Sequence, residues 1–226
     1  MLGANIGFHK FQASYNFYYS IPKIRRMTIA ARAIIGLAHV FSNGDRFSNS
    51  QFPGLDGILP ISERFFAGGS TTLRGFDFEE AGPRAVIVPQ GTFRNSKGEQ
   101  VYLDPFTLPI GGNGLAVVNI EARIPLSKTL RAVPFYDGGN VFRRVGDIFN
   151  PPKTIGTTAF EANLRSLWTN TIGLGLRLKT PIGGEFGVDY GYLLNPPRFR
   201  IPQTVGPDAY YRLHQGQLHF RFSQAF

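Results

Sequence analysis

Seven segments of this 226-residue chain alternate apolar and polar side chains with a period of two. This alternation is the pattern of a β-strand, because successive side chains of a strand point to opposite faces of the sheet. It is weaker in 27–41 and mixed in 130–142. The seven segments are residues 7–19, 27–41, 113–126, 130–142, 168–179, 184–193 and 216–226. The sequence therefore predicts an all-β fold.

The two faces of these strands differ in a way that favours a membrane protein. The polar faces carry full charges and glycines, whereas the apolar faces end in aromatic residues, and the chain contains 21 phenylalanines. The segments are about 10 to 14 residues long, which suits a tilted crossing of a bilayer better than a soluble sandwich. We therefore expect an antiparallel up-and-down transmembrane β-barrel with a polar lumen and a lipid-facing outer band.

The connections between the segments alternate strictly between short and long. The short ones are 20–26, 127–129 and 180–183, and the long ones are 42–112, 143–167 and 194–215. Outer-membrane barrels have short periplasmic turns and long external loops. This rhythm predicts that residue 1 begins outside and that Phe226 ends on the periplasmic side.

Seven strands raise the question of how the sheet closes, because an open edge in lipid leaves backbone groups unpaired. Three arrangements are compatible with the sequence: the C-terminal part of a larger barrel, a further eighth strand, or two chains paired edge to edge. We favour the first. The strand-like residues 84–90 are interpreted as a hairpin within the long external loop.

Composition argues against several other classes of function. The net charge is +9, but the basic residues are scattered singly apart from the pairs Arg25-Arg26 and Arg143-Arg144, so no nucleic-acid partner is expected. No cysteine is present for a thiolate metal site. The four histidines lack metal-ligand spacing, and Glu185 and Asp189 are read as solvated charges in a lumen. No apolar run reaches the roughly 20 residues of a membrane helix, and residues 1–20 lack a signal-peptide core. We expect neither an enzyme nor a cofactor.

Four motifs follow one another in a recognisable order. They are "ERFFAGGSTTLRGF" at 63–76, "NIEARIPL" at 119–126, "VPFYDGGNVF" at 133–142 and "GLGLRLKTPIGGEFGVDYGYLL" at 173–194, and the chain ends "LHFRFSQAF". In this order they resemble the BamA-like outer-membrane assembly and translocation barrels. The resemblance covers residues 60–226 by motif and residues 1–60 by pattern.

The resemblance implies that residues 1–226 are the C-terminal portion of a 16-stranded barrel preceded by periplasmic POTRA domains. The implied function is insertion of outer-membrane proteins by strand-edge templating and lateral opening, without cofactor or nucleotide. Unfolded outer-membrane proteins or secreted polypeptides would be clients, with the outer-membrane bilayer and periplasmic or lipoprotein accessory subunits as partners. The alternatives are a two-partner-secretion transporter, a passive pore or a structural barrel.

The resemblance also assigns roles to individual residues. Leu73, Arg74, Gly75 and Phe76 would form a motif in external loop 42–112 that folds back into the lumen. In the family the motif arginine pairs with acids on the next two strands, and the matching residues in this chain are Glu121 and Asp137. Gly75 would allow the backbone to approach the barrel wall closely.

The aromatic C-terminal segment resembles the family's assembly signal, which an assembly machine recognises through edge-strand addition. Its residues are Phe220, Phe222 and Phe226. Part of their role is simply to face lipid.

Overall fold

The structure is a computed structural model of the chain. It describes residues 7–22, 27–42, 57–87, 89, 92–94, 96–98, 100–102, 105–150, 162–180, 183–202 and 207–223.

The fold is dominated by one antiparallel sheet of seven long strands, which confirms the predicted all-β class. The strands are β1 Gly7–Ile21, β2 Met27–Ser42, β7 Gly114–Pro125, β8 Leu130–Phe142, β9 Thr169–Lys179, β10 Glu185–Leu193 and β13 Gly216–Ser223. They lie in the order β1-β2-β7-β8-β9-β10-β13, so each long strand pairs with its neighbours along the chain. This is the meander that the alternating connections predict, with β1 and β13 at the edges of the described sheet.

Short strands form separate ribbons within the long connections. They are β3 Arg84–Ile87, β4 Thr92–Arg94, β5 Gln100–Tyr102, β6 Phe106–Pro109, β11 Arg198–Ile201 and β12 Ala209–Arg212. The ribbons pair β3 with β6, β4 with β5, and β11 with β12. The strand-like stretch after residue 84 therefore pairs within the long connection and not with the main sheet. In the part of the chain described, no helix is long and apolar enough to span a bilayer.

One face of the main sheet, here called the outer face, exposes a continuous apolar surface. Its exposed side chains include Phe11, Tyr15, Phe17, Ile120, Ile172, Leu174, Leu176, Tyr190, Leu218, Phe220 and Phe222. An exposed apolar surface of this extent marks an interaction site in a soluble protein, whereas it is the normal lipid-facing surface of a membrane barrel.

The opposite face, here called the inner face, packs against the long connection between β2 and β7. Leu59, Phe65, Leu73 and Phe76 of this connection are buried in a core that also contains strand residues such as Leu115, Val117, Val141 and Leu193. Fully burying a Leu or Phe side chain contributes roughly 1.5–3 kcal/mol. Apolar burial therefore holds the connection on the inner face and sets the depth of the polar residues between its anchors.

Candidate functional site

The segment 57–87 carries the LRGF motif, and backbone bridges hold it before and after the motif. Phe65, before the motif, forms a bridge with Gly112, and Ala67 forms a bridge with Ala81, which follows the motif. Gly68 has φ 125°, a conformation that L side chains rarely adopt, and an added Cβ would lie 2.2 Å from the carbonyl oxygen of Asp77. The glycine thus permits a tight turn that directs the motif towards the sheet.

Leu73 and Phe76 flank the motif arginine, and both are completely buried. The backbone N–H of Phe76 donates to the carbonyl oxygen of Leu73 at 3.1 Å, which closes a turn around residues 74 and 75. The two apolar side chains therefore fix the turn, and the turn presents the side chain of Arg74 to the inner face.

Arg74 is bound by two carboxylates from adjacent strands. Its Nε and Nη2 donate to Asp137 at 2.8 and 2.7 Å, and its Nη1 donates to Glu121 at 2.7 Å. The backbone N–H of Arg74 also donates to Asp137, at 3.0 Å. The fork of two parallel bonds to one carboxylate is the strong geometry for an Arg–carboxylate pair. The structure thus brings together the three residues that the resemblance groups.

The ion pair is shielded from solvent. The side chain of Arg74 is 3% exposed and that of Asp137 is 0% exposed. The guanidinium group also lies over the ring of Phe135, 3.5 Å from its centroid, which adds a cation–π contact. Removing Arg74 would therefore leave the buried carboxylate of Asp137 without an ion-pair partner among the described residues.

The charge state of Arg74 is the balance of burial and neighbouring carboxylates. Burial lowers the pKa of Arg74, but the hydrogen bond and charge of Asp137, followed by the charges of Glu121 and Asp189, raise the pKa above its ordinary value. Arg74 is therefore a permanent cation, and the segment cannot release the carboxylates by losing a proton.

Gly75 lies directly against β9. A Cβ at this position would lie 2.2 Å from the hydroxyl oxygen of Thr171, so only glycine fits without a shift. On the neighbouring strand, a Cβ at Gly191 would lie 2.2 Å from the carbonyl oxygen of Arg74. The backbone of the motif therefore packs directly against β9 and β10.

The last strand of the described sheet also contacts the motif. Nε2 of His219, on β13, lies 3.1 Å from the carbonyl oxygen of Arg74, within hydrogen-bond distance. Asn119 on β7 donates both to the carbonyl oxygen of Thr72, at 2.6 Å, and to Asp137, at 2.7 Å. One short segment is thus bonded or tightly packed to β7, β8, β9, β10 and β13.

Asp189 corrects one expectation from the sequence. The sequence predicts a solvated lumen charge at this position, but the side chain is 0% exposed and forms an ion pair with Arg177 at 2.7 Å. It also lies 4.0 Å from Nη1 of Arg74. The period-two pattern placed Asp189 on the correct face, and the segment that covers this face removes it from solvent. Glu185 is partly exposed and pairs with Arg131 at 3.1 Å.

The C-terminal aromatics lie elsewhere. Phe220 and Phe222 are exposed on the outer face of β13, whereas His219, next to Phe220 in the same strand, contacts the motif on the inner face. Phe226 lies outside the described residues. The structure therefore separates the predicted site residues into an inner-face group around Arg74 and an outer-face group on the edge strand.

Sequence reasoning missed several members of the inner-face group. They are Asn119, Thr171, Gly191 and His219. The period-two pattern places all of them on the inner face, which is a usable signal, but it does not show how deeply the segment enters. Among the described residues, no group of three or more His, Asp, Glu or Cys side chains is arranged to hold a metal ion. The site is built for a salt-bridged contact between segment and sheet.

Comparison with known proteins shows the family to which the chain belongs. The profile of the Omp85 superfamily domain matches residues 1–226. The fold is similar to the crystal structure of BamA from Haemophilus ducreyi lacking POTRA domains 1–3, with a TM-score of 0.57 and 17% sequence identity. The match covers 99% of this chain and 36% of the solved BamA chain, so the present chain spans about a third of the length of that solved chain. With its seven-stranded meander and its inner-face arginine motif, the chain belongs to the Omp85 superfamily.

Proposed function

We propose that this chain forms part of the barrel wall of a protein that inserts outer-membrane proteins into the bilayer. The Omp85 superfamily, a family of outer-membrane assembly and transport proteins, supports this proposal. The proposed clients are unfolded outer-membrane proteins, and the proposed location is the outer membrane. Periplasmic or lipoprotein accessory subunits are further proposed partners. The proposal includes no catalysis and no cofactor.

The observation that carries the proposal is the contrast between a braced inner face and β13, which lies at the edge of the described sheet. Arg74 ties segment 57–87 to Glu121 and Asp137, and His219 extends these contacts to β13. The other edge of β13 has no partner among the described strands. An unpaired edge presents backbone N–H and C=O groups, which can pair with an incoming strand.

In the proposed mechanism, the edge strand β13 and the braced inner face have different roles. A client strand adds to the free edge of β13 by main-chain hydrogen bonds, so the edge templates its conformation. Movement of β13 relative to the rest of the sheet then opens a lateral path into lipid. Meanwhile the Arg74 side chain keeps β7 and β8 in a fixed arrangement, and β13 moves by breaking its bond from His219 to the carbonyl oxygen of Arg74.

The mechanism can be tested by locking β13, because the chain contains no cysteine. Val188 is opposite Phe220 on β13 and opposite Leu176 on β9. Directly opposed residues of an antiparallel pair are about 4.5–5.5 Å apart, which suits a disulfide. The variant Val188→Cys/Phe220→Cys locks β10 to β13, and Val188→Cys/Leu176→Cys is the matched control that locks β10 to β9.

Each variant is reconstituted in liposomes, and the folding rate of an outer-membrane client is followed by gel mobility. We expect the oxidised β10–β13 lock to abolish the acceleration of client folding and reduction to restore it, while the β10–β9 lock leaves it intact. Equal acceleration by both oxidised variants would contradict a role for movement of β13.

The competing functions are a passive pore and a secretion transporter. In planar bilayers, a large and permanently open conductance that Arg74→Ala leaves unchanged would favour a passive pore. Transport of a secreted polypeptide into liposomes, without any acceleration of client folding, would favour a two-partner-secretion transporter.

A further inference from the structure

Two adjoining cavities on the inner face are lined by an unusual number of arginines. One, of about 220 Å³, lies where the short connections join the strands, and its lining includes Arg123, Arg131, Arg177, Arg221 and Glu185. The other, of about 180 Å³, lies beneath the motif, and its lining includes Arg32, Arg74, Arg123, Arg221 and Glu121. Arg123 and Arg221 line both cavities, so the two adjoin, and together they are here called the arginine pocket.

The carboxylates of the arginine pocket do not balance its arginines. Six guanidinium groups line it, and four carboxylates lie against them, which leaves a surplus of two positive charges among the described residues. The carboxylates are those of Glu121, Asp137, Glu185 and Asp189. Arg32 has no carboxylate partner in the part of the chain described, and it bonds instead to the side-chain oxygen of Asn119 and the carbonyl oxygen of Thr71.

Arg221 is the least satisfied cation of the pocket. Within the described residues its only ion pair is to Asp189, at 3.7 Å, and Asp189 already accepts from Arg177 at 2.8 Å. The side chain of Arg221 is 32% exposed, so its donors remain accessible from the cavity. A guanidinium group has five N–H donors in a planar fork, which fits an oxyanion.

The position of the pocket selects among sources of such an oxyanion. The pocket lies on the inner face, whereas the lipid-facing aromatic surface is on the outer face. A lipid phosphate would have to leave the bilayer to enter it, but a polypeptide that passes along the inner face would not. In an extended segment, side chains two residues apart lie on the same side, so alternate carboxylates can face the pocket together.

We propose that the arginine pocket binds carboxylates of an extended acidic polypeptide segment, with Arg221 as the main contact. This binding proposal rests on the proposed function in one respect only, which is the expectation that polypeptides reach the inner face. Direct binding measurements separate the two, because a chain that fails to accelerate client folding can still bind an acidic peptide, and the reverse also holds.

The test uses the full chain folded in detergent micelles and isothermal titration calorimetry. The probe is acetyl-(Gly-Glu)3-amide, and its uncharged counterpart is acetyl-(Gly-Gln)3-amide. The variant is Arg221→Gln, and the matched control is Arg198→Gln, which removes the same charge from an exposed position on β11. Inorganic phosphate serves as a competitor, and far-UV circular dichroism checks that each variant is folded.

We expect the Glu peptide to bind and the Gln peptide to bind at least about tenfold more weakly, as loss of one charge-assisted hydrogen bond implies. Arg221→Gln should weaken binding of the Glu peptide by a similar factor, and Arg198→Gln should leave it unchanged. Equal binding of the two peptides, or equal effects of the two variants, would overturn the proposal. Displacement of the peptide by an equimolar amount of phosphate would show a general oxyanion site and would refute the polypeptide assignment.

Discussion

Replacing Arg74 with glutamine should cost more stability than any other single charge removal in segment 57–87. The variant deletes the fork to Asp137 and the bond to Glu121 but keeps the backbone N–H that also donates to Asp137. Glu121 retains Arg123, at 3.1 Å, so its charge stays paired. The cost therefore comes mainly from Asp137, which keeps only Asn119 and a backbone N–H as donors.

The magnitude follows from the burial of Asp137, whose side chain is 0% exposed. Breaking a buried ion pair by removing one partner costs about 3–5 kcal/mol, because the remaining charge is desolvated and uncompensated. Since two donors to Asp137 survive, we expect about 3 kcal/mol for Arg74→Gln. The double variant Arg74→Gln/Asp137→Asn removes both charges, so it should lose about 2 kcal/mol less than the sum of the two single variants.

The assay is reversible unfolding by guanidinium chloride in micelles, followed by the fluorescence of Trp168, the single tryptophan of the chain. Trp168 directly precedes β9, and its carbonyl oxygen accepts from Asn195 at 2.9 Å, so it reports on the sheet. Arg198→Gln is the control and should leave the midpoint unchanged. Coincident curves for Arg74→Gln and the control, or additive effects in the double variant, would refute the reasoning.

Two further predictions concern packing and the lipid surface. Gly191→Ala places a methyl group against the carbonyl oxygen of Arg74 and should destabilise the fold by about 1–3 kcal/mol, whereas Gly146→Ala, with nothing within 4 Å, should have little effect in the same unfolding assay. Leu174→Arg puts a charge on the outer face and should weaken folding into liposomes by about 2–4 kcal/mol, if measured by equilibrium partitioning. Ile61→Arg, at a similarly exposed position in the external connection, should not weaken folding into liposomes. Equal losses of folding free energy in the two variants would contradict a lipid-facing β9.

The main sheet could be predicted from the sequence because each long strand contains many consecutive residues that alternate between apolar and polar. The predicted segment 168–179 and the observed β9 Thr169–Lys179 differ by one residue at the start. The four-residue strands β11 and β12 were not predicted, because four residues are too few to distinguish alternation from chance. Their pairing depends on the tertiary position of the long connections and not on a local pattern.

The inner-face site could be predicted only in part. The sequence pattern gave the correct face of Glu121, and the resemblance grouped it with Arg74 and Asp137. The burial of Asp189 could not be predicted, because it depends on how far segment 57–87 descends, and apolar contacts distant in sequence set that depth. A period-two pattern reports the direction of a side chain and carries no information about what covers it.

The contact between Arg74 and His219 has a consequence for the order of assembly. The two residues are 145 positions apart, and the contacts of the motif reach five strands, of which β13 is formed last along the chain. Loop-closure entropy makes contacts between such distant residues late and slow. The motif can complete its contacts only after every strand it touches is in register, and the contact with β13 is the last that can form. A slipped β13 would leave Arg74 paired with Glu121 and Asp137 but without the bond from His219, so this one contact distinguishes a completed wall from a nearly completed one.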